Sequence, residues 1–160
     1  MRILIAALLV ALTACGQPSE TPRGAEEAPA AALRAENAWA APTPGGVDVS
    51  AGYLTLVNDA AAEDVLLSAS SARAERVEVH EMTMEGGVMQ MRAVARLAIP
   101  AGQSVELAPS GRHLMFYGVT QPFAVGETIP VRLTFERAGD IDVSLPVRRP
   151  GASTAEHNGH

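Results

Sequence analysis

The chain has 160 residues, with 12 arginines against 18 acidic side chains, no lysine and a single cysteine. Its net charge of −6 argues against nucleic acid or an anionic surface as the partner, because both attract basic proteins. Without lysine there is no Schiff-base catalysis, and one cysteine leaves no pair for thiol redox chemistry or a zinc–thiolate site. The length suits one domain with a modest core.

The N-terminus has the pattern of an export signal. Arg2 is followed by an apolar run to Leu12 that is too short to cross a bilayer as a permanent helix. The next residues, Leu12-Thr-Ala-Cys15, resemble the lipobox of bacterial lipoproteins, in which the peptide is cut before the cysteine and the thiol is acylated. We therefore expect residues 1–14 to be a lipoprotein signal peptide and Cys15 to be lipidated. The alternative is an ordinary signal peptide in which Cys15 is incidental.

Both ends of the expected mature chain lack an apolar period. Residues 15–35 are rich in Pro, Ala and Glu and predict a flexible tether from Cys15. Residues 149–160 predict a disordered tail. This tail contains His157 and His160; a disordered end with two titrating imidazoles is the favoured interpretation, and weak binding of Cu(II) by these two imidazoles is the alternative. The folded domain is then expected at residues 36–148.

Between these ends the chain has a β pattern. Short apolar or alternating runs are separated by Gly, Pro, Asp and Ser, and no ten-residue amphipathic helix interrupts them. This spacing predicts an all-β sandwich or barrel of about eight short strands. The predicted strands are 49–57, 65–69, 76–80, 88–95, 104–108, 112–119, 128–135 and 141–147.

Four side chains are candidate ligands of one metal ion: His80, Met91, His113 and Met115. Imidazole and thioether together suit Cu(I), a soft ion, better than Mg, Ca or Mn, which prefer oxygen. His113 and Met115 are two apart in a strand-like run, so their side chains leave the same face. The four residues lie near predicted turns, and loops lie at the surface, so we expect the metal at the rim of the domain.

Other residues near these four are weaker candidates. A methionine in a β protein is usually core, and a lone histidine is usually structural or solvated. Met89 shares a face with Met91 and is a possible neighbour or substitute, whereas Met82 and Met84 rank lower. His80 is expected where its strand ends. Glu81 is a candidate to hydrogen-bond a ligand imidazole, although a solvated edge charge is the favoured role for it.

Several segments resemble the periplasmic CuA copper chaperones of the PCu(A)C family. The family motif is His, ten residues, Met, twenty-one residues and His-x-Met, and this chain matches it in every ligand and both gaps. The resemblance covers roughly residues 35–148. The other segments that carry it are Ala35–Trp39, Ala51–Asn58, Val77–Met82, Gly87–Arg92, Ile99–Gly102 and Leu133–Arg137.

The resemblance implies a cupredoxin-like Greek-key β-sandwich that binds Cu(I) through His80, Met91, His113 and Met115. It further implies delivery of that copper to the CuA centre of a cytochrome c oxidase subunit, often alongside a Sco-type thiol chaperone. The expected location is the bacterial periplasm, with the protein anchored to a membrane by its lipid.

Alternative readings differ in the ligands they need. A blue-copper electron-transfer site needs a cysteine thiolate, and the only cysteine lies in the lipobox. A copper–zinc superoxide dismutase needs more histidines than the domain has. A copper-buffering or resistance protein stays open, because storage and delivery use the same ligands. So does a β-sandwich that binds only a protein partner. No enzyme is expected, since nucleophile-elbow, phosphate-loop and zincin motifs are missing.

Overall fold

The computed structural model describes residues 32–151. The predicted signal peptide, Cys15, most of the tether, and His157 and His160 lie outside these described residues. The described part is all β, as predicted, with ten strands instead of about eight. They are β1 (Leu33–Ala40), β2 (Val49–Asn58), β3 (Asp64–Ser70), β4 (Ala74–Glu85), β5 (Val88–Ala93), β6 (Leu97–Ile99), β7 (Gln103–Leu107), β8 (Arg112–Val119), β9 (Thr128–Phe135) and β10 (Gly139–Pro146).

The strands form one continuous sheet that curls around a single core. The order is β1-β2-β8-β4-β3-β9-β10, with β5 beside β4, β6 beside β3 and β7 beside β2. The two end strands meet, through a parallel bridge between Ala40 and Val147 and a hydrogen bond from the Arg148 amide to the Ala40 carbonyl. The sheet therefore closes nearly into a barrel.

Alternating sequence patterns position the core. In β9 every second side chain, from Ile129 to Phe135, is buried, which is the period-2 pattern of a strand with one wet face. Phe116 of β8 packs edge-to-face on Phe123, with 5.3 Å between ring centroids. The inward residues of β2, β8, β9 and β10 belong to this one apolar cluster.

Three strands differ from the sequence prediction by more than two residues at one end or were not predicted at all. β1 begins at Leu33, so the last three residues of the predicted tether belong to the sheet. Its alternation is hidden by a bulge between Glu36 and Trp39, with Asn37 at a φ of 52°. The second difference is β6, which has only three residues and is too short to show a period.

The third difference is β4, which does not end near His80 but continues to Glu85. Gly86 and Gly87 have φ angles of 59° and 81°. Positive φ at both central residues is the requirement of a two-residue type I′ hairpin. The turn therefore allows β4 and β5 to pair in register up to Glu85 and Val88.

Candidate metal centre

A pair of buried histidines lies across two neighbouring strands. His80 of β4 is directly opposite His113 of β8 in the antiparallel register, so both side chains leave the same face. Their ring centroids are 6.1 Å apart. The two residues are only 8% and 5% exposed. The fold thus brings together two imidazoles that are 33 positions apart in sequence.

The hydrogen bonds of His80 identify which ring nitrogen is available to a metal. Its Nε2 lies 2.9 Å from Glu78 Oε2. Hydrogen bonding to His80 lowers the pKa of Glu78 and outweighs the opposing effect of burial, with a further contribution from Arg76. Because an ionised carboxylate only accepts, we assign the proton to Nε2, which donates to Glu78.

The other nitrogen of His80 is buried and has no hydrogen-bond partner among the described residues. A buried polar atom without a partner is unusual in a folded protein. With the proton on Nε2, His80 Nδ1 carries a free lone pair. The site is therefore chemically suited to a metal ion that coordinates at this atom.

His113 shows a complementary arrangement. Its Nδ1 lies 3.2 Å from the carbonyl oxygen of Gly111. A carbonyl can only accept, so we assign Nδ1 as the donor, which leaves Nε2 of His113 with the free lone pair. A neutral histidine whose second nitrogen is fixed in this way is the usual form of a metal ligand.

The two predicted methionine ligands flank the histidine pair from opposite sides. Met115 follows His113 by two residues on β8 and is opposite Glu78, whereas Met91 of β5 is opposite Met82. Glu78 and Met82 are four residues apart on β4, which corresponds to about 13 Å along a flat strand. The register therefore places Met115 next to the histidines and Met91 on the adjoining hairpin.

A long side chain at the same face already spans four residues along the strands. Tyr117 is opposite Arg76, four residues from His80, yet its hydroxyl oxygen lies 3.4 Å from His80 Nε2. The β4–β5 hairpin also extends beyond the start of β8 at Arg112, and two-stranded ribbons twist more than wide sheets. A common site for all four ligands requires this hairpin to curl toward β8.

The remaining methionines share the histidine face. By the register, Met82, Met84, Met89 and Met91 all lie on one face of the β4–β5 hairpin. Glu81 lies on the opposite face and forms an ion pair with Arg112, at 2.7 Å. The imidazole partner is thus Glu78, not Glu81. The sequence contained one indication of this partner: Glu78 and His80 are two residues apart in a strand, so their side chains leave the same face.

Exposure differs strongly within this set. Met91 is 47% exposed, Met115 is half-buried, and the histidines are buried. A shallow depression of about 240 Å³, lined in part by Pro42, Pro44 and Ala51, opens beside Met115. The two imidazoles are therefore buried, whereas the side chains of the two candidate methionines are partly exposed.

An aromatic row continues from His113 across the sheet. The ring centroids of Tyr53 and His113 are 6.5 Å apart, and those of Tyr53 and Trp39 are 4.4 Å apart. The guanidinium of Arg148 lies 4.5 Å from the centre of the Trp39 ring. Burial raises the pKa of Tyr53, so its hydroxyl stays neutral beside the histidines.

Residues 32–151 lack two further features, a cluster of acidic, histidine or cysteine ligands and a membrane-spanning helix. No three side chains from His, Cys, Asp and Glu lie close enough together there to hold a metal ion. The candidate donors at this face are the two imidazoles and the methionine sulfurs on the same three strands. The same residues contain no helix that is long and apolar enough to span a membrane.

The sequence is similar to those of proteins described as putative lipoproteins. Residues 33–147 match the family described as Putative lipoprotein LpqE-like. The chain is also 26% identical over 156 residues to the Putative lipoprotein Lxx21020 of Leifsonia xyli subsp. xyli (strain CTCB07). That alignment covers 97% of this chain and 93% of the relative.

Solved structures with a similar fold include copper-bound proteins, one of them a PCuAC domain. The copper-bound PCuAC domain from PmoF2 is 24% identical in sequence and superposes with a TM-score of 0.64. That superposition covers 74% of this chain and 94% of the PmoF2 domain. The solution structure of CuI-DR1885 from Deinococcus radiodurans is 28% identical and superposes with a TM-score of 0.59. That superposition covers 83% of this chain and 87% of DR1885. The predicted resemblance and the cupredoxin-like fold are confirmed. The chain belongs to the LpqE-like family.

Proposed function

We propose that this protein is an extracytoplasmic copper chaperone that binds one Cu(I) through His80, Met91, His113 and Met115. The observation that carries the proposal is the cross-strand histidine pair. Each imidazole is fixed through the N–H of one nitrogen, by Glu78 or by the Gly111 carbonyl, and keeps the lone pair of its other nitrogen. Thioether sulfur at the same face selects the reduced, soft ion.

The similar proteins support copper as the cargo. The PmoF2 domain was solved copper-bound and DR1885 in its CuI form. In this chain no cysteine lies in the described residues, so the site has no thiol to oxidise. A site built from methionine and histidine keeps its ligands in an oxidising compartment, where thiols form disulfides.

The position of the sulfur donors supports transfer. Met91 is half exposed, so a ligand from an acceptor can join the metal before the buried imidazoles release it. The proposed acceptor, taken from the family resemblance, is the CuA centre of a cytochrome c oxidase subunit, with a Sco-type thiol chaperone as a second partner. Lipidation at Cys15 would hold the protein at the periplasmic membrane surface. Copper buffering with the same ligands is the alternative function.

The ligand set is tested by X-ray absorption on the Cu(I) form of the mature chain. We expect mixed nitrogen and sulfur ligation, which is lost in the His113→Ala, Met115→Ala double variant. Val125→Ala is the control, because Val125 is exposed in the loop before β9. An unchanged copper stoichiometry and ligation in the double variant would contradict the assignment.

Delivery and buffering are separated by oxidase assembly. We expect a deletion strain grown at limiting copper to lose cytochrome c oxidase activity. The wild-type gene should restore it and His80→Ala should not. Normal oxidase activity in the deletion strain, together with raised sensitivity to copper, would favour buffering over delivery.

A further inference from the structure

The β4–β5 hairpin has an unusual division of side chains between its two faces. One face carries Met82 opposite Met91 and Met84 opposite Met89, two direct cross-strand pairs. The other face is polar apart from Val88, and there Arg92 donates two hydrogen bonds to Glu85. The hairpin therefore presents methionine at four successive positions of a single face.

These methionines are not core residues. Met84, Met89 and Met91 are 65%, 53% and 47% exposed. Among residues 32–151, β5 is the only strand that pairs with β4 beyond Glu81, where β8 begins at Arg112, so the thioethers gain little from burial. An exposed apolar face normally costs solubility and indicates that something binds there. The sequence uses an unbranched thioether at all four positions, although any aliphatic side chain would serve an apolar contact.

The register gives the methionine pairs a spacing suited to a metal ion. Directly opposite residues have Cβ atoms about 4.5–5.5 Å apart, which is within reach of two flexible thioethers that share one ion. The Met82–Met91 pair and the Met84–Met89 pair are separated by two residues, about 7 Å along the strand. Thioether-only ligation selects Cu(I) over the hard divalent ions.

We propose that Met84 and Met89, at the tip of the β4–β5 hairpin, form a second Cu(I) site, separate from the histidine site. Copper reaches and leaves the histidine site through this tip by way of the Met82–Met91 pair. No electron is transferred, since Cu(I) exchanges one thioether ligand for the next and keeps its oxidation state. The proposal rests on the copper function put forward above, and it adds a site that contains neither histidine.

The test is a Cu(I) titration of the full mature chain in detergent micelles, labelled with ¹³C at the methionine methyl groups. Copper is kept reduced and oxygen is excluded. We expect the first equivalent to shift the methyl signals of Met91 and Met115. The second equivalent should shift those of Met84 and Met89 together.

Two variants make this titration specific. In Met84→Leu the Met89 signal should no longer move at the second equivalent, while the first equivalent behaves as in the wild type. Val88→Leu is the matched control, because Val88 is 62% exposed on the other face of the same hairpin and its replacement leaves both thioethers. Tip signals that stay fixed in excess metal, or a Met89 signal that still moves in Met84→Leu, would overturn the second site.

The two proposals fail in different ways. Tip signals that move while Met115 stays fixed would support the tip site and contradict the histidine site. The reverse pattern would contradict only the tip site. For the exchange route, Met84→Leu with Met89→Leu should slow Cu(I) transfer to a competing chelator several-fold, with unchanged affinity for the first equivalent. If the double variant transfers Cu(I) as fast as the wild type, the exchange route is refuted. The exposed methionines would then be interpreted as a contact surface for a protein partner.

Discussion

Replacing Glu78 with glutamine tests whether its carboxylate holds His80 ready for copper. The carboxylate accepts a 2.9 Å hydrogen bond from His80 Nε2 and would face the positive charge that Cu(I) brings to the ring. The glutamine keeps the size of the side chain and removes the charge. We therefore expect the variant to fold normally and to bind Cu(I) more weakly.

The expected loss of Cu(I) affinity in Glu78→Gln follows from the surroundings of the Glu78 carboxylate. Glu78 is 35% exposed, and it also pairs with Arg76 at 2.9 Å, so water and a second cation reduce its effect on the metal. Interactions of unit charges near a protein surface are about 1–4 kcal/mol at 4 Å, and exposure lowers this further. We expect a loss of about 1–2 kcal/mol, or roughly 5- to 30-fold in Kd.

The assay is competition for Cu(I) against a chromophoric chelator at fixed ionic strength. Glu81→Gln is the matched control, since Glu81 lies next to His80 on the same strand but on the opposite face, paired with Arg112. Equal affinities for wild type and Glu78→Gln would refute the positioning role. So would an equal loss in Glu81→Gln, which would indicate a general effect of charge.

Other predictions concern stability and anchoring. Burial alone would raise the pKa of Asp64, but three backbone amides donate hydrogen bonds to its carboxylate and together lower that pKa. The carboxylate therefore stabilises the fold fully above the pKa that Asp64 has in the unfolded chain. This stabilisation is lost as the pH falls through the lower pKa that Asp64 has in the folded protein. Urea titrations should show Asp64→Asn less stable by about 1–3 kcal/mol at neutral pH, with a weaker acid dependence than the wild type, and an unchanged acid dependence would contradict this. Gly52→Ala should cost about 1–3 kcal/mol, because the new Cβ would lie 2.8 Å from Leu145, whereas Gly45→Ala has open space and should be neutral in the same assay. Cys15→Ser should release the protein from the membrane fraction or leave it unprocessed, and an unmodified Cys15 in soluble wild type would disprove the lipid anchor.

Period-2 alternation was sufficient to predict most of the strands. β8 and β9 have the predicted bounds, 112–119 and 128–135. The inward residues of β9 alternate without interruption, whereas Gly118, at a φ of 61°, interrupts the alternation near the end of β8. β1 was missed because a bulge breaks its alternation. The length of β4 was underestimated because its outer half carries methionines and polar residues, and only the glycine turn indicates that the pairing continues.

The site was predicted in residue type more fully than in geometry. The motif identified the two histidines, and the structure pairs them across β4 and β8. Glu78 and the Gly111 carbonyl determine which ring nitrogen of each histidine carries the proton. Sequence spacing alone does not show these hydrogen bonds. The four-residue offset between Met91 and Met115 likewise follows from pairing partners that sequence spacing does not contain. The identity of the four ligands stays a prediction, and so does the copper acceptor.

The row of rings that begins at His113 ends at Trp39, the only tryptophan in the chain. Trp39 is 8% exposed and lies where the first and last strands meet, with Arg148 over its ring. Its fluorescence therefore distinguishes opening of this part of the fold from metal loading. Opening of the seam between β1 and β10 would expose the indole to water and move its emission to longer wavelength. A copper ion bound at His113 would leave the indole buried, so metal loading would not cause this shift to longer wavelength.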